Sequence, residues 1–154
     1  MSMDWQWFAL FAFAIFHGIA FGAGLFEQLI VVPRWMGSAS LDPEAMRADD
    51  TGRRFWAFVT TGPLTILTLI NLYFAFTSAP PLRTLWTAAC GVTVIERVFT
   101  FTFFIPKALE LMRSDAASAS ALQIAARWRS LNWLRLLLSF VAWLLALLAF
   151  GMLP

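Results

Sequence analysis

Six residues inside the long apolar runs of this sequence are the informative ones: His17, Glu27, Glu96, Arg97, Asn132 and Arg135. Charge inside hydrocarbon is costly and persists where it faces a bundle interior or a hydrated cavity, so these positions carry the functional information. Two acids match two arginines, with Arg135 the first choice of partner for Glu96 and Arg97 its local competitor. They can lock a bundle together as buried ion pairs, or line a polar pocket that opens toward the cytoplasmic interface. His17 suits either a satisfied polar core position or membership of a site. Because it is the chain's one histidine, a bis-His haem or a two-His, one-carboxylate iron site cannot be built from a single chain. Metal chemistry would require an oligomer or unusual ligands, and a homo-oligomer stays open. The single cysteine, Cys90, excludes an intrachain disulfide and a cysteine-rich zinc site, and reads as a small packing residue. No Gly-rich phosphate loop, paired-cysteine motif or nucleophile elbow supports nucleotide or acyl-transfer chemistry.

The elements that must position these residues are helices. Of 154 residues, 60% are hydrophobic and 13% charged, and mean hydropathy is +0.74, too apolar for a soluble domain of this size. Four runs, near residues 5–32, 56–77, 84–105 and 128–152, reach the roughly 20 apolar residues that cross a bilayer. The expected fold is an all-α integral membrane four-helix bundle, one transmembrane domain over residues 1–154. The first run has no basic residue before it and is too long for a signal-peptide core, so it is expected to be retained.

Helical spacing gathers the polar residues into stripes. Thr93, Glu96 and Thr100 share one face, as do Asn132, Arg135 and Ser139, and Thr61, Thr65 and Thr68 form a third stripe. At about 1.5 Å per residue, Glu27 lies about 8 Å, Arg135 about 10 Å and Glu96 about 14 Å from their helix ends, so all four helices are expected to line one cavity. Pro63, after Gly62, frees backbone groups that hydroxyls or water can satisfy. Gly18, Gly22 and Gly24 read as close-packing positions.

The remaining basic residues report topology. Arg34, Arg47, Arg53, Arg54, Lys107, Arg113, Arg127 and Arg129 flank the two longer loops, whereas Arg83 alone marks the other side. This bias puts the loops around Met46 and Ala117 in the cytoplasm and both termini outside, with a bacterial inner membrane as the expected setting. The same distribution speaks against nucleic acid as a partner, despite a pI near 9.3. In the first loop, Asp42-Pro43-Glu44 predicts a short interfacial helix stopped at Gly52. In the second, Lys107-Ala108-Leu109-Glu110-Leu111-Met112 can continue a helix beyond Pro106, Ser114 to Ser120 reads as a mobile small-residue segment, and Ser120 with Gln123 resembles a capping box that extends the fourth helix below the membrane. A faint internal echo pairs Val32-Pro33-Arg34 with Ile105-Pro106-Lys107, each closing a span and followed by Trp56 or Trp128.

Two segments carry a family resemblance: Gly22-Ala23-Gly24-Leu25-Phe26-Glu27 running to Val32-Pro33, and Trp128-Arg129-Ser130-Leu131-Asn132-Trp133-Leu134-Arg135. The small-residue first helix ending in proline and the Trp-x3-Asn-x2-Arg opening of the last span resemble the anthrone oxygenase-like family of small four-helix membrane proteins. The proline closing the third span also fits. That family often has asparagine soon after this proline, where Lys107-Ala108-Leu109 stands here. The resemblance implies oxygenation of an aromatic anthrone to a quinone, with dioxygen as co-substrate and neither metal nor flavin as cofactor. Such a carbon acid needs a base and a group to hold the adjacent oxyanion. Glu27, Glu96 and His17 are the candidate catalytic residues; Arg97, Asn132, Arg135, Trp56 and Trp128 are the candidate substrate-binding ones. The expected partners are the lipid bilayer and a hydrophobic aromatic or quinone-like small molecule. The competing expectation is a noncatalytic binding or accessory protein whose charges only stabilise the bundle.

Overall fold

The computed structural model describes residues 5–37, 40–116 and 118–153. Its four long helices, Trp5–Trp35, Asp50–Thr77, Leu82–Arg113 and Ala119–Phe150, are each long and apolar enough to cross a membrane, and are called the first to fourth spans below. They form an all-α four-helix bundle, with no strand among the described residues. Lipid offers no hydrogen bonds, so a spanning backbone must satisfy its own polar groups, which a helix does. The outward faces remain apolar, as at Phe58, Leu69, Tyr73 and Leu148. A soluble bundle would carry charge at such positions. The chain is thus an integral membrane protein by the length and composition of its helices.

Two apolar cores separate along the bundle. Toward the termini, Leu10, Phe13, Leu64, Trp86, Cys90 and Ala146 pack together. Toward the longer loops, Val32, Met36, Met46, Phe104, Leu111 and Trp128 form a second cluster. On the first, third and fourth spans most buried polar residues fall between the two, Gln28, then Thr93, Glu96 and Thr100, then Asn132 and Ser139, whereas His17 lies within the first cluster. Small residues let the backbones close up. A Cβ on Gly24 would lie 2.6 Å from Leu136 Cδ2, and one on Gly18 would lie 3.2 Å from the Trp143 ring. Gly22 differs from the sequence expectation, since nothing stands within 4 Å of its missing Cβ.

Three spans carry a widened, π-helical turn directly ahead of a proline: Glu27–Val31 before Pro33, Trp56–Thr61 before Pro63, and Thr100–Phe104 before Pro106. Each proline then occupies the start of a renewed α-helical segment, where its missing N–H breaks no ladder bond of that segment. This corrects the expected end of the first span and joins the third span to the helix expected beyond Pro106. The first runs through Pro33 to Trp35 and the third through Pro106 to Arg113. The feature shared by Pro33 and Pro106 also occurs at Pro63, so it belongs to three spans and not to two equivalent halves.

The expected loop helix forms over Pro43–Ala48, with the Asp42 carboxylate accepting from Ala45 N at 2.9 Å. Gly52 does not stop it. Asp49 ends that helix and caps the next, accepting from Gly52 N at 2.9 Å, and the second span begins at Asp50, earlier than expected. A Cβ on Gly52 would lie 2.2 Å from Asp49 Oδ2, so this tight cap explains the glycine. At the fourth span the cap is Ser118, accepting from Ala121 N at 3.5 Å, and Ser120 lies inside the helix. Ala117, at the centre of the second basic loop, lies outside the described residues.

Candidate functional site

A cavity of about 640 Å³ occupies the loop-side half of the bundle, and all four spans contribute to its wall. This is the size of a small-molecule site. The three π-helical turns place Glu27, Trp56, Ala57, Thr61, Thr100, Phe101 and Phe104 on that wall, and the fourth span adds Trp128 and Arg135. A π turn rotates the residues before it out of ordinary α-helical register, which is why such turns gather at sites.

At the polar point of the wall, Trp56 Nε1 donates to Glu27 Oε1 at 2.7 Å, and Arg135 Nη2 stands 3.6 Å from Glu27 Oε2. The second distance is that of an ion pair without a hydrogen bond. The Arg135 guanidinium lies over two rings, 5.3 Å from the Trp56 centroid and 5.0 Å from that of Phe104. Rings on its faces hold a cation by their quadrupoles and leave its N–H edge to other partners. Among the described residues Arg135 makes no hydrogen bond, so its donors are available to a ligand oxygen. Trp128 is fixed behind this point, with Nε1 donating to Phe104 O at 3.1 Å and its ring edge-on to Phe104.

Of the eight residues singled out from sequence, Glu27, Trp56, Trp128 and Arg135 therefore border one cavity, and Glu96, Arg97, His17 and Asn132 do not. Glu96 is buried and pairs with its own neighbour: Arg97 Nε donates to Glu96 Oε2 at 2.6 Å, and Arg97 Nη2 closes on the same oxygen. Thr100, on the cavity wall, donates to Glu96 Oε1 at 3.2 Å and is the one hydrogen bond from the wall to that pair among the described residues. His17 is buried, its Nε2 3.0 Å from Thr93 Oγ1 and its ring edge-on to Phe13. Asn132 donates to Gln28 Oε1 at 2.7 Å, and Gln28 donates in turn to Arg129 O at 3.1 Å.

Sequence reasoning passed over two of these groups. Gln28 ties the first span to the fourth, and Asn71 ties three spans, donating to Ala9 O at 3.1 Å and accepting from Trp86 Nε1 at 2.9 Å. Both are polar residues inside spans, a signal that attention to charge obscured. The threonine stripe of the second span is turned partly inward on itself: Thr65 and Thr68 donate to Thr61 O and Leu64 O at 2.7 and 2.6 Å. The methionines Met36, Met46 and Met112 complete the loop-side wall. Among the described residues, no three His, Cys, Asp or Glu side chains stand together as a metal site.

The arrangement is a carboxylate and a guanidinium, fixed side by side by aromatic rings, at the edge of an otherwise apolar space. It can orient a hydrophobic molecule by one oxygen and offer that molecule a base. No protein-family model, curated protein or solved structure matches this chain.

Proposed function

We propose that the chain binds a hydrophobic aromatic or quinone-like molecule in this cavity and acts on it as an anthrone-type oxygenase. The observation that carries the reading is Arg135, which lines a cavity of about 640 Å³ beside the Glu27 carboxylate, is cradled by two aromatic rings and makes no hydrogen bond among the described residues. The resemblance of the first and last spans to the anthrone oxygenase-like family supports the same chemistry. Glu27 takes a proton from the ring methylene, and the electron pair passes to the ring oxygen, where Arg135 holds the negative charge. Dioxygen accepts electrons from the carbanion and forms a carbon–oxygen bond. Protonation gives a hydroperoxide; loss of water, with cleavage of the oxygen–oxygen bond and departure of the second methylene proton, leaves the quinone carbonyl. No metal or organic cofactor enters this scheme. We place the protein in a bacterial inner membrane with both termini outside the cytoplasm, on the basic-residue bias.

The assay is oxygen-dependent conversion of an anthrone by the purified full chain, corrected for uncatalysed oxidation and compared at matched folded concentration. Glu27→Gln and Arg135→Gln should each lower turnover on the order of a hundredfold. Glu96→Gln, off the cavity, should retain the wild-type rate per folded molecule. Wild-type activity no higher than background rejects anthrone oxygenation. Activity that survives both cavity substitutions rejects the site.

The second reading is a noncatalytic binding or accessory protein. It is favoured by the pairing of both intramembrane acids, Glu27 with Arg135 and Glu96 with Arg97. It requires that the cavity substitutions reduce folding and leave no turnover to lose.

A further inference from the structure

We infer that the cavity takes its ligand sideways from the bilayer, through a gap between the second and third spans, and that the ligand is a quinone ring bearing an aliphatic tail. This inference rests on the cavity being a ligand site and adds the route and the ligand class.

The cavity's two margins differ. Toward the loops Met36 and Met46, 1% and 5% exposed, cover it, Met46 from the Pro43–Ala48 helix itself, and the outward-facing lining side chain at that margin is the charged Arg53, 41% exposed. That helix is tied down, with Arg47 donating to Met112 O across to the third span, and Arg53 Nη1 donating to Met46 O and Arg47 O at 3.0 and 2.8 Å. Along the flank the same cavity is bordered by Ile66, Phe101, Ile105 and Leu109, which are 61%, 48%, 40% and 43% exposed. A side chain that both lines a cavity and faces outward marks the rim of an opening. All four are apolar and lie within spans, and Phe101, Ile105 and Leu109 repeat every four residues along one helix face. This rim faces acyl chains.

The interior restricts what can pass it. Glu27 offsets the charge of Arg135, so the pair presents hydrogen-bond donors without net positive charge and suits a neutral carbonyl better than a phosphate. The rim residues Ile66, Phe101, Ile105 and Leu109 carry no charge that would conduct a zwitterionic headgroup past them, whereas the loop-side margin carries Arg53. The rings of Trp56 and Phe104 suit a flat ring, and the gap leaves a tail in the lipid. A tail that exchanges lipid for lipid adds little binding energy and meets no obstacle.

The test uses the full chain in lipid nanodiscs, with a decyl-tailed benzoquinone and the same ring carrying methyl in place of the tail. Affinities are expressed per mole fraction in the bilayer. The two probes should agree within about threefold, since the tail stays outside the protein. A diazirine at the tail's end should label the Ile66 and Ile105 rim and spare Met36 and Met46. Ala57→Trp and Ile105→Trp, which narrow the gap from lipid-facing positions, should slow association of the tailed probe about tenfold, and the labelling arm needs no substitution at all. Tailed probe bound more than about tenfold weaker than its tail-less partner overturns the lateral route, as does tail labelling at Met36 or Met46. If the tail-less probe still binds and is lost in Arg135→Gln, the site reading survives that failure. If wild type binds neither probe, both fall.

Discussion

Glu96 and Arg97 are consecutive, and consecutive helical residues point about 100° apart, so Arg97 must fold back across its own helix to reach Glu96. That pair is nearly sealed from its surroundings, and Arg97 Nη1 is buried without a hydrogen-bond partner among the described residues. Glu96→Gln should then leave a buried cation without its counter-charge and destabilise the chain by about 3 to 5 kcal/mol. Thr100→Val, which removes a hydrogen bond to a charged group, should cost about 1.5 to 3 kcal/mol. Unfolding in mixed detergent micelles measures both. Replacing Glu96 and Arg97 together by Gln should recover much of the first loss, and a Glu96→Gln protein as stable as wild type sinks the buried-pair account. Sequence alone favoured Arg135 as the partner of Glu96, with Arg97 as local competitor; the structure joins Glu96 to Arg97 and Arg135 to Glu27. Depth along the helices was legible, and it already held the better answer. Arg135 at about 10 Å is nearer in depth to Glu27 at about 8 Å than to Glu96 at about 14 Å. The azimuth of each residue was not legible, because the π turns shift it.

Helical elements here are set by a few residues that interrupt them. The apolar runs alone were enough to place all four spans, but Pro33 and Pro106 read as closing them, because proline in a helix interior removes a bond and clashes, although helix could resume over Lys107 to Met112. What sequence did not display was the π turn ahead of each proline, a tertiary accommodation with no residue signature of its own. The same turns carry the cavity, so the elements could be read while the site they build could be read only by half: the two tryptophans, Glu27 and Arg135, without Phe104 or the methionines. Gly52 shows a second kind of misreading, since glycine after a short helix usually marks its end. Here it makes room for the Asp49 cap. Gly52→Ala should force Asp49 off the helix start and cost about 1 kcal/mol, and Asp49→Ala should cost about the same. The two act on one hydrogen bond, so the double variant should be little less stable than either single one. Full additivity in thermal unfolding would show that Gly52 serves some purpose other than the cap.

For the whole molecule, orientation decides which leaflet the cavity serves. The cavity lies at the end of the bundle bearing the Pro43–Ala48 helix, where Trp35, Asp49 and Arg53 border it. The opposite end holds the Ser78 to Arg83 turn, the Trp5 end of the first span and the Phe150 end of the fourth, with Arg83 donating to Ser78 O at 2.7 Å. Eight basic residues on one side against Arg83 on the other bias the cavity end toward the cytoplasm, because cationic loops resist translocation. In the proposed orientation the flank opening would meet the inner leaflet, and a lipid-soluble ring would reach Glu27 and Arg135 without crossing the membrane. Cys90 is fully buried, so single introduced cysteines can report against a quiet background. In intact cells, an impermeant maleimide added outside should label Ala79→Cys and leave Glu44→Cys and Ala116→Cys unlabelled until the membrane is permeabilised. All three positions are exposed on the protein, so failure to react reflects the membrane and not burial. Labelling of Glu44→Cys and Ala116→Cys from outside, with Ala79→Cys protected, would invert the protein and move the cavity to the outer leaflet, leaving its internal geometry unchanged.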